Sequence, residues 1–167
     1  PKGYSSETGA DMLLTNAAAD INKPRGSLES LDDVTAIFKA QPEETMLNFL
    51  KASIKTNKEE TEDIKKLHQA YSDGRFEELI PLLEETEQRT LKLVDAKYAK
   101  AMSDWLKNDL LIRRNLAWLP EIRKQSAKQS TLFAVGIAHL PSEKGLIELL
   151  RQEGYQVTPE PKVLIWQ

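Results

Sequence analysis

Apolar residues recur every three or four positions along most of this chain, and near its end they run together. In "SSETGADMLLTNAAADIN", serines that can cap precede Met12, Leu13, Ala17 and Ile21 at helical spacing, and Pro24 stops the run. A short extended piece, "RGSLES", follows. Ser30 with Asp33 then reads as the start of a helix carrying Leu31, Val34, Ile37 and Phe38. Pro42 suits the first turn of a third helix, with Met46, Leu47, Phe49 and Leu50 on its apolar side. "EDIKKLHQAY" sets Ile64, Leu67, His68 and Tyr71 on one face, and "SDG" closes it. From Phe76 to about Ala127 the period stays helical, with breaks or kinks expected at Pro81 and Pro120.

The last forty residues change period. "TLFAVGIA" is continuously apolar, which suits a strand covered on both faces, as in a parallel sheet. Ser142 reads as the cap of a helix carrying Leu146, Ile147, Leu149 and Leu150, Gly154 as its stop, and "YQVTP" as a second strand. The predicted fold class is therefore α/β: a small, mostly parallel sheet with a large helical insertion over about 31–128 and a strand–helix–strand unit at 131–158. All 167 residues read as one domain.

Two polar residues stand where these strands run out. His139 follows "VGIA", with Gly136 permitting a bend or a close backbone approach before it, and Glu29 ends "RGSLE". Open sheets bind ligands beyond the carboxyl ends of their strands, so both are candidates. A third feature is the pair Arg114–Asn115 in "NDLLIRRNLAWLPEI", where Asn115 shares a helical stripe with Leu111 and Trp118. An asparagine in an apolar stripe needs partners, and the neighbouring arginine points to an anion nearby. Each has a plainer reading: His139 as a hydrogen-bonded loop residue, Glu29 as a carboxylate at a helix start, Arg114 and Asn115 as bridges. His68 and the three tryptophans read as structural.

Composition narrows the classes. The net charge of −3 supplies no basic face for nucleic acid, and no apolar run approaches the length of a membrane span. With no cysteine, disulfides, thiolate metal sites and cysteine nucleophiles are excluded.

"GAD", "LES", "AYSDGRFEEL", "RRNLAWLPEI" and "FAVGIAHLPSEKGLIELLRQEGYQVTP", in this order, resemble the TraB/GumN family, which includes the Tiki proteins. The family pattern has two G-x-x-H motifs, a glutamate and an arginine–asparagine pair. Gly136 with His139 matches the second G-x-x-H, Glu29 the glutamate, and Arg114 with Asn115 the pair. The first G-x-x-H has no counterpart, since "KKLH" at His68 lacks the glycine, so the chain reads as the C-terminal portion of a longer member. The resemblance implies metal-dependent peptidase activity, as in the Tiki branch, or peptide binding, as in the pheromone-shutdown branch. It leans towards a periplasmic or extracytoplasmic setting and leaves the compartment open.

A catalytic divalent metal usually takes about three protein ligands and an open position. His139 and Glu29 would be half of such a set for zinc or manganese, with Glu29 either ligand or general base, Arg114 stabilising developing negative charge and Asn115 orienting a ligand. The isolated chain is then expected to hold metal weakly and to be inactive. An open sheet edge, or the C-terminal "VLIWQ", is the expected route to a homodimer.

Overall fold

The computed structural model describes residues 9–158 of the chain. Helix α1 spans Ala10–Asp20 and buries none of its side chains. Helix α2, Leu31–Lys39, opens with a complete capping box: Asp33 N–H donates to Ser30 Oγ, and Ser30 N–H donates to the Asp33 carboxylate. Helix α3, Glu43–Asp73, runs unbroken for 31 residues from Pro42 to Gly74, whose φ of 68° is the left-handed stop expected of a glycine. Stretches that read as two helices are thus one. After a 3₁₀ turn at Phe76–Glu78 comes α4, Leu79–Leu91, with Pro81 harmlessly inside its first turn.

A second long helical rod follows in three parts. Helix α5 is Ala96–Asp104, capped by Asp95, whose carboxylate accepts from Lys97 N–H. A π-helical stretch covers Trp105–Ile112, and α6 covers Arg113–Ser126. No break occurs at Pro120: the helix continues through it, with Leu116 and Pro120 both exposed. The carbonyl four residues before the proline, which loses its amide partner, lies on the solvent side, where water can replace the bond.

The rod joins two apolar clusters. Ala52, Leu91, Val94, Met102 and Trp105 form one, between α3, α4 and α5. Trp118, Leu119 and Ile122 of α6 form the other with Leu146 and Leu149 of α7, Leu146–Gln152; Leu28, Phe133 and Val135 pack on it. Between α3 and α4, Asp63 is held by Arg89 Nη1 at 2.6 Å and Thr86 Oγ1 at 3.1 Å.

The expected α/β fold is overturned: among the described residues there is no strand and no sheet. Residues 131–136 still carry a strand's alternation, with Phe133 and Val135 turned to the second cluster and Leu132 76% exposed. A strand exists only through its ladder, and no described segment pairs with this one. The expected strand at 155–158 is likewise irregular. Glu29 and His139 therefore end no strands: Glu29 lies in a bend before α2, and His139 closes a 3₁₀ turn, Ile137–His139. With no sheet there is no sheet edge for dimerisation among the described residues, and "VLIWQ" lies outside them.

Two sequence expectations about the loop before α7 are also corrected. Ser142 does not cap the helix; Gly145 does, and Ser142 sits in a turn with φ of 84°. Gly136 has an ordinary φ of −58°, and a Cβ there would meet only His139 Cδ2, at a normal 3.7 Å. The glycine this loop requires is Gly145, where a Cβ would lie 1.9 Å from the Pro141 carbonyl oxygen. The crowding arises because the loop doubles back, with Ile147 N–H donating to Leu140 O and Gly145 N–H to Ser142 O.

Candidate functional site

Glu29, Arg114, Asn115 and His139 come together although 110 positions separate the first from the last. Arg114 reaches Glu29 through a two-pronged fork, Nε to Oε2 at 3.0 Å and Nη2 to Oε1 at 2.5 Å, and both side chains are about four-fifths buried. Its third nitrogen, Nη1, donates to the Leu110 carbonyl at 2.9 Å. That carbonyl belongs to the turn where π bonding returns to α bonding, marked by Arg113 N–H donating to Asn108 O.

Asn115 is 2% exposed and fully bonded. Its Nδ2 donates to the carbonyls of His139, at 3.3 Å, and Lys144, at 2.9 Å. Both partners can only accept, so the amide's orientation is set by chemistry, and Oδ1 must face the ring of His139, 2.7 Å from Nδ1. An amide oxygen cannot donate. Nδ1 of His139 therefore carries the proton, and in the neutral ring Nε2 keeps its lone pair. Burial favours that neutral ring, and the positive charge of Arg114 adds to it, while Glu29 acts in the opposite sense; the balance lowers the histidine's pKa.

Trp118 completes the arrangement. Its Nε1–H donates to Glu29 Oε2 at 3.2 Å, its ring lies 4.5 Å from that of His139, and the Arg114 guanidinium sits 5.0 Å over it. On sequence alone it reads as packing, and it does pack, at 4% exposure. The signal that it does more is spacing: Arg114, Asn115 and Trp118 fall at i, i+1 and i+4 of one helix, so Arg114 and Trp118 share a face. Nothing in the sequence marks Lys144, which enters through its backbone.

The Arg114 hydrogen bonds hold the Glu29 carboxyl below the usual carboxylate range, outweighing the burial that opposes them; Arg114's charge and the Trp118 bond add to the lowering. Such a carboxylate is a weak base at neutral pH, and both its oxygens already accept bonds. Of its two anticipated roles, general base is the one this environment opposes, and the ligand role must compete with Arg114 and Trp118.

His139 fits a divalent metal on one count: no described residue bonds its Nε2, and its Nδ1–H is anchored to an amide oxygen, the outer contact that metal-bound imidazoles characteristically make. The donor set as a whole does not fit, since among the described residues no three His, Asp or Glu side chains are grouped to hold an ion. His68 lies on the exposed face of α3, remote in sequence and setting from this cluster.

The chain matches the model of the TraB/PrgY/gumN family over residues 1–159, and comparisons with curated proteins and with solved structures return no match. The match takes in every residue of the Glu29–Arg114–Asn115–Trp118–His139 cluster, and the chain belongs to the TraB/PrgY/gumN family.

Proposed function

We propose that this cluster contributes half of the active site of a metal-dependent hydrolase of peptides. The observation that carries the proposal is His139: a buried imidazole whose Nδ1–H is fixed by Asn115 and whose Nε2 no described residue bonds. Asn115 sets the tautomer and, through two backbone carbonyls, fixes the loop that carries the ring. Arg114 spends three of its five N–H donors on Glu29 and Leu110, which leaves two for a carboxylate or a developing oxyanion of the substrate. Glu29 aims the guanidinium and offsets its charge, so that the buried arginine is not left unpaired.

A second reading is a peptide-binding or regulatory protein that uses the same residues without catalysis. It is favoured by Glu29, whose lowered pKa leaves no carboxylate in the cluster poised as a general base. The two part on metal. The longest natural form of the protein that contains this chain is assayed for cleavage of a peptide library with zinc or manganese, with chelator, and as His139→Ala. The hydrolase reading expects cleavage that chelator abolishes and that His139→Ala lowers at least 100-fold. Peptide binding that is indifferent to chelator, with no cleavage, would establish the second reading and overturn the first.

A further inference from the structure

Helix α3 is buried along one side and carries apolar residues along the opposite side, which stays largely exposed among the described residues. Its inner side, with Ala52, Thr56, Asp63 and Ala70 all at or below 5% exposure, packs on α4 and α5. Its outer side carries Leu47, Leu50, Ile54, Ile64 and Tyr71, which are 47%, 53%, 75%, 41% and 58% exposed. These five positions all fall on a and d of a single heptad register that runs the length of the helix, with Thr61 and His68 among its polar members. A surface helix ordinarily turns charge outward, and scattered apolar residues there need no explanation. A straight a/d stripe on a helix about 46 Å long is different, because its width and period fit another helix rather than a flat surface.

We infer that this stripe is a dimer interface, in which α3 packs in parallel against α3 of a second copy of the chain. The stripe is self-complementary, so a two-fold pairing matches it at every layer. Two such stripes face to face remove about 1,000–1,200 Å² from water, which clears the roughly 1,000 Å² a specific interface needs and fits a weak, reversible dimer. Charge selects the direction. Lys51 and Lys65 both occupy e positions, on the same flank of the stripe. An antiparallel pair brings e against e and sets Lys51 opposite Lys65 of the other copy, whereas a parallel pair sets e against g, where Met46, Ser53 and Leu67 stand. The polar members near the middle would fix the register at some cost in affinity. This inference is independent of the proposed hydrolase, whose residues lie in other elements.

The test is the mass of the full chain in solution by sedimentation velocity, with and without the paired changes Leu50→Glu and Ile54→Lys. A dimer at twice 18.9 kDa is expected at tens of micromolar. The double variant should weaken it at least 100-fold and leave the helical circular dichroism unchanged. Because the chain has no cysteine, Ile54→Cys provides a direct measure of direction: in the parallel register the new thiols face each other and oxidise to a covalent dimer. A monomer at these concentrations, which would leave the stripe to a lipid surface or to another polypeptide segment, overturns the inference. So does a dimer that survives the double variant, or one in which Ile54→Cys does not cross-link.

Discussion

At residue scale, the loop between His139 and α7 separates a glycine that belongs to a motif from one that the backbone needs. Gly136 gives G-x-x-H its first letter, yet its backbone is ordinary and its missing Cβ has room. Gly136→Ala should therefore raise stability by about 0.4–1 kcal/mol, because alanine loses less freedom on folding. Gly145→Ala should lower it by roughly 1–3 kcal/mol, since the new Cβ meets the Pro141 backbone and the loop must shift. Urea denaturation of both variants checks the pair, and equal effects would contradict the loop geometry. The shift would also disturb the Lys144 carbonyl that Asn115 holds, so Gly145→Ala reaches the site through the backbone.

At the scale of elements, the joint between α3 and α4 holds an ion pair between the buried Asp63 and Arg89. Burial pushes the Asp63 carboxyl up, but the hydrogen bonds from Arg89 and Thr86 and the charges of Arg89 and Lys66 outweigh it, and the net shift is downward. A carboxyl depressed in the folded state stabilises at pH values above its unfolded value, here 3.8, and that contribution is lost as the pH falls through the depressed one. Asp63→Asn should accordingly cost about 1–3 kcal/mol at pH 7. The gap between wild type and variant should close as the pH drops below 3.8. Chemical denaturation across that range measures it, and a gap constant with pH would contradict the ion pair.

Which elements were legible in the sequence follows from what holds each one. The start of α2 and the end of α3 could be read because Ser30, Asp33 and Gly74 act within their own turns. The continuity of α3 and the passage of α6 through Pro120 could not, because each depends on whether the surrounding surface faces solvent. The strand at 131–136 failed for a physical reason of another kind: the alternation of Phe133 and Val135 is local, but a ladder belongs to two segments. The π turn before Arg114 leaves no mark in residue type. The convergence of the site residues was more legible than the fold. Glu29 and His139 stood out as polar groups where expected strands run out, Asn115 as an amide inside an apolar stripe with Arg114 beside it, and all four lie in one cluster. Trp118 blended into the core it also serves.

At the scale of the whole molecule, one helical rod from Ala96 to Ser126 links the two apolar clusters, and its second half carries three of the five site residues. Leu28 anchors Glu29 to the cluster of α6 and α7, so the site is built on one core and α3 on the other. Among the described residues no helix is long and apolar enough to cross a membrane. The role proposed for His139 requires that Nδ1 carry the proton and that Nε2, which no described residue bonds, keep its lone pair. Long-range ¹H–¹⁵N NMR of the imidazole reads this directly, with His68→Gln removing the only other histidine signal. At neutral pH the geometry predicts a His139 ring protonated at Nδ1 alone, and Asn115→Leu should release that preference. A ring protonated at Nε2, or at both nitrogens, would contradict it.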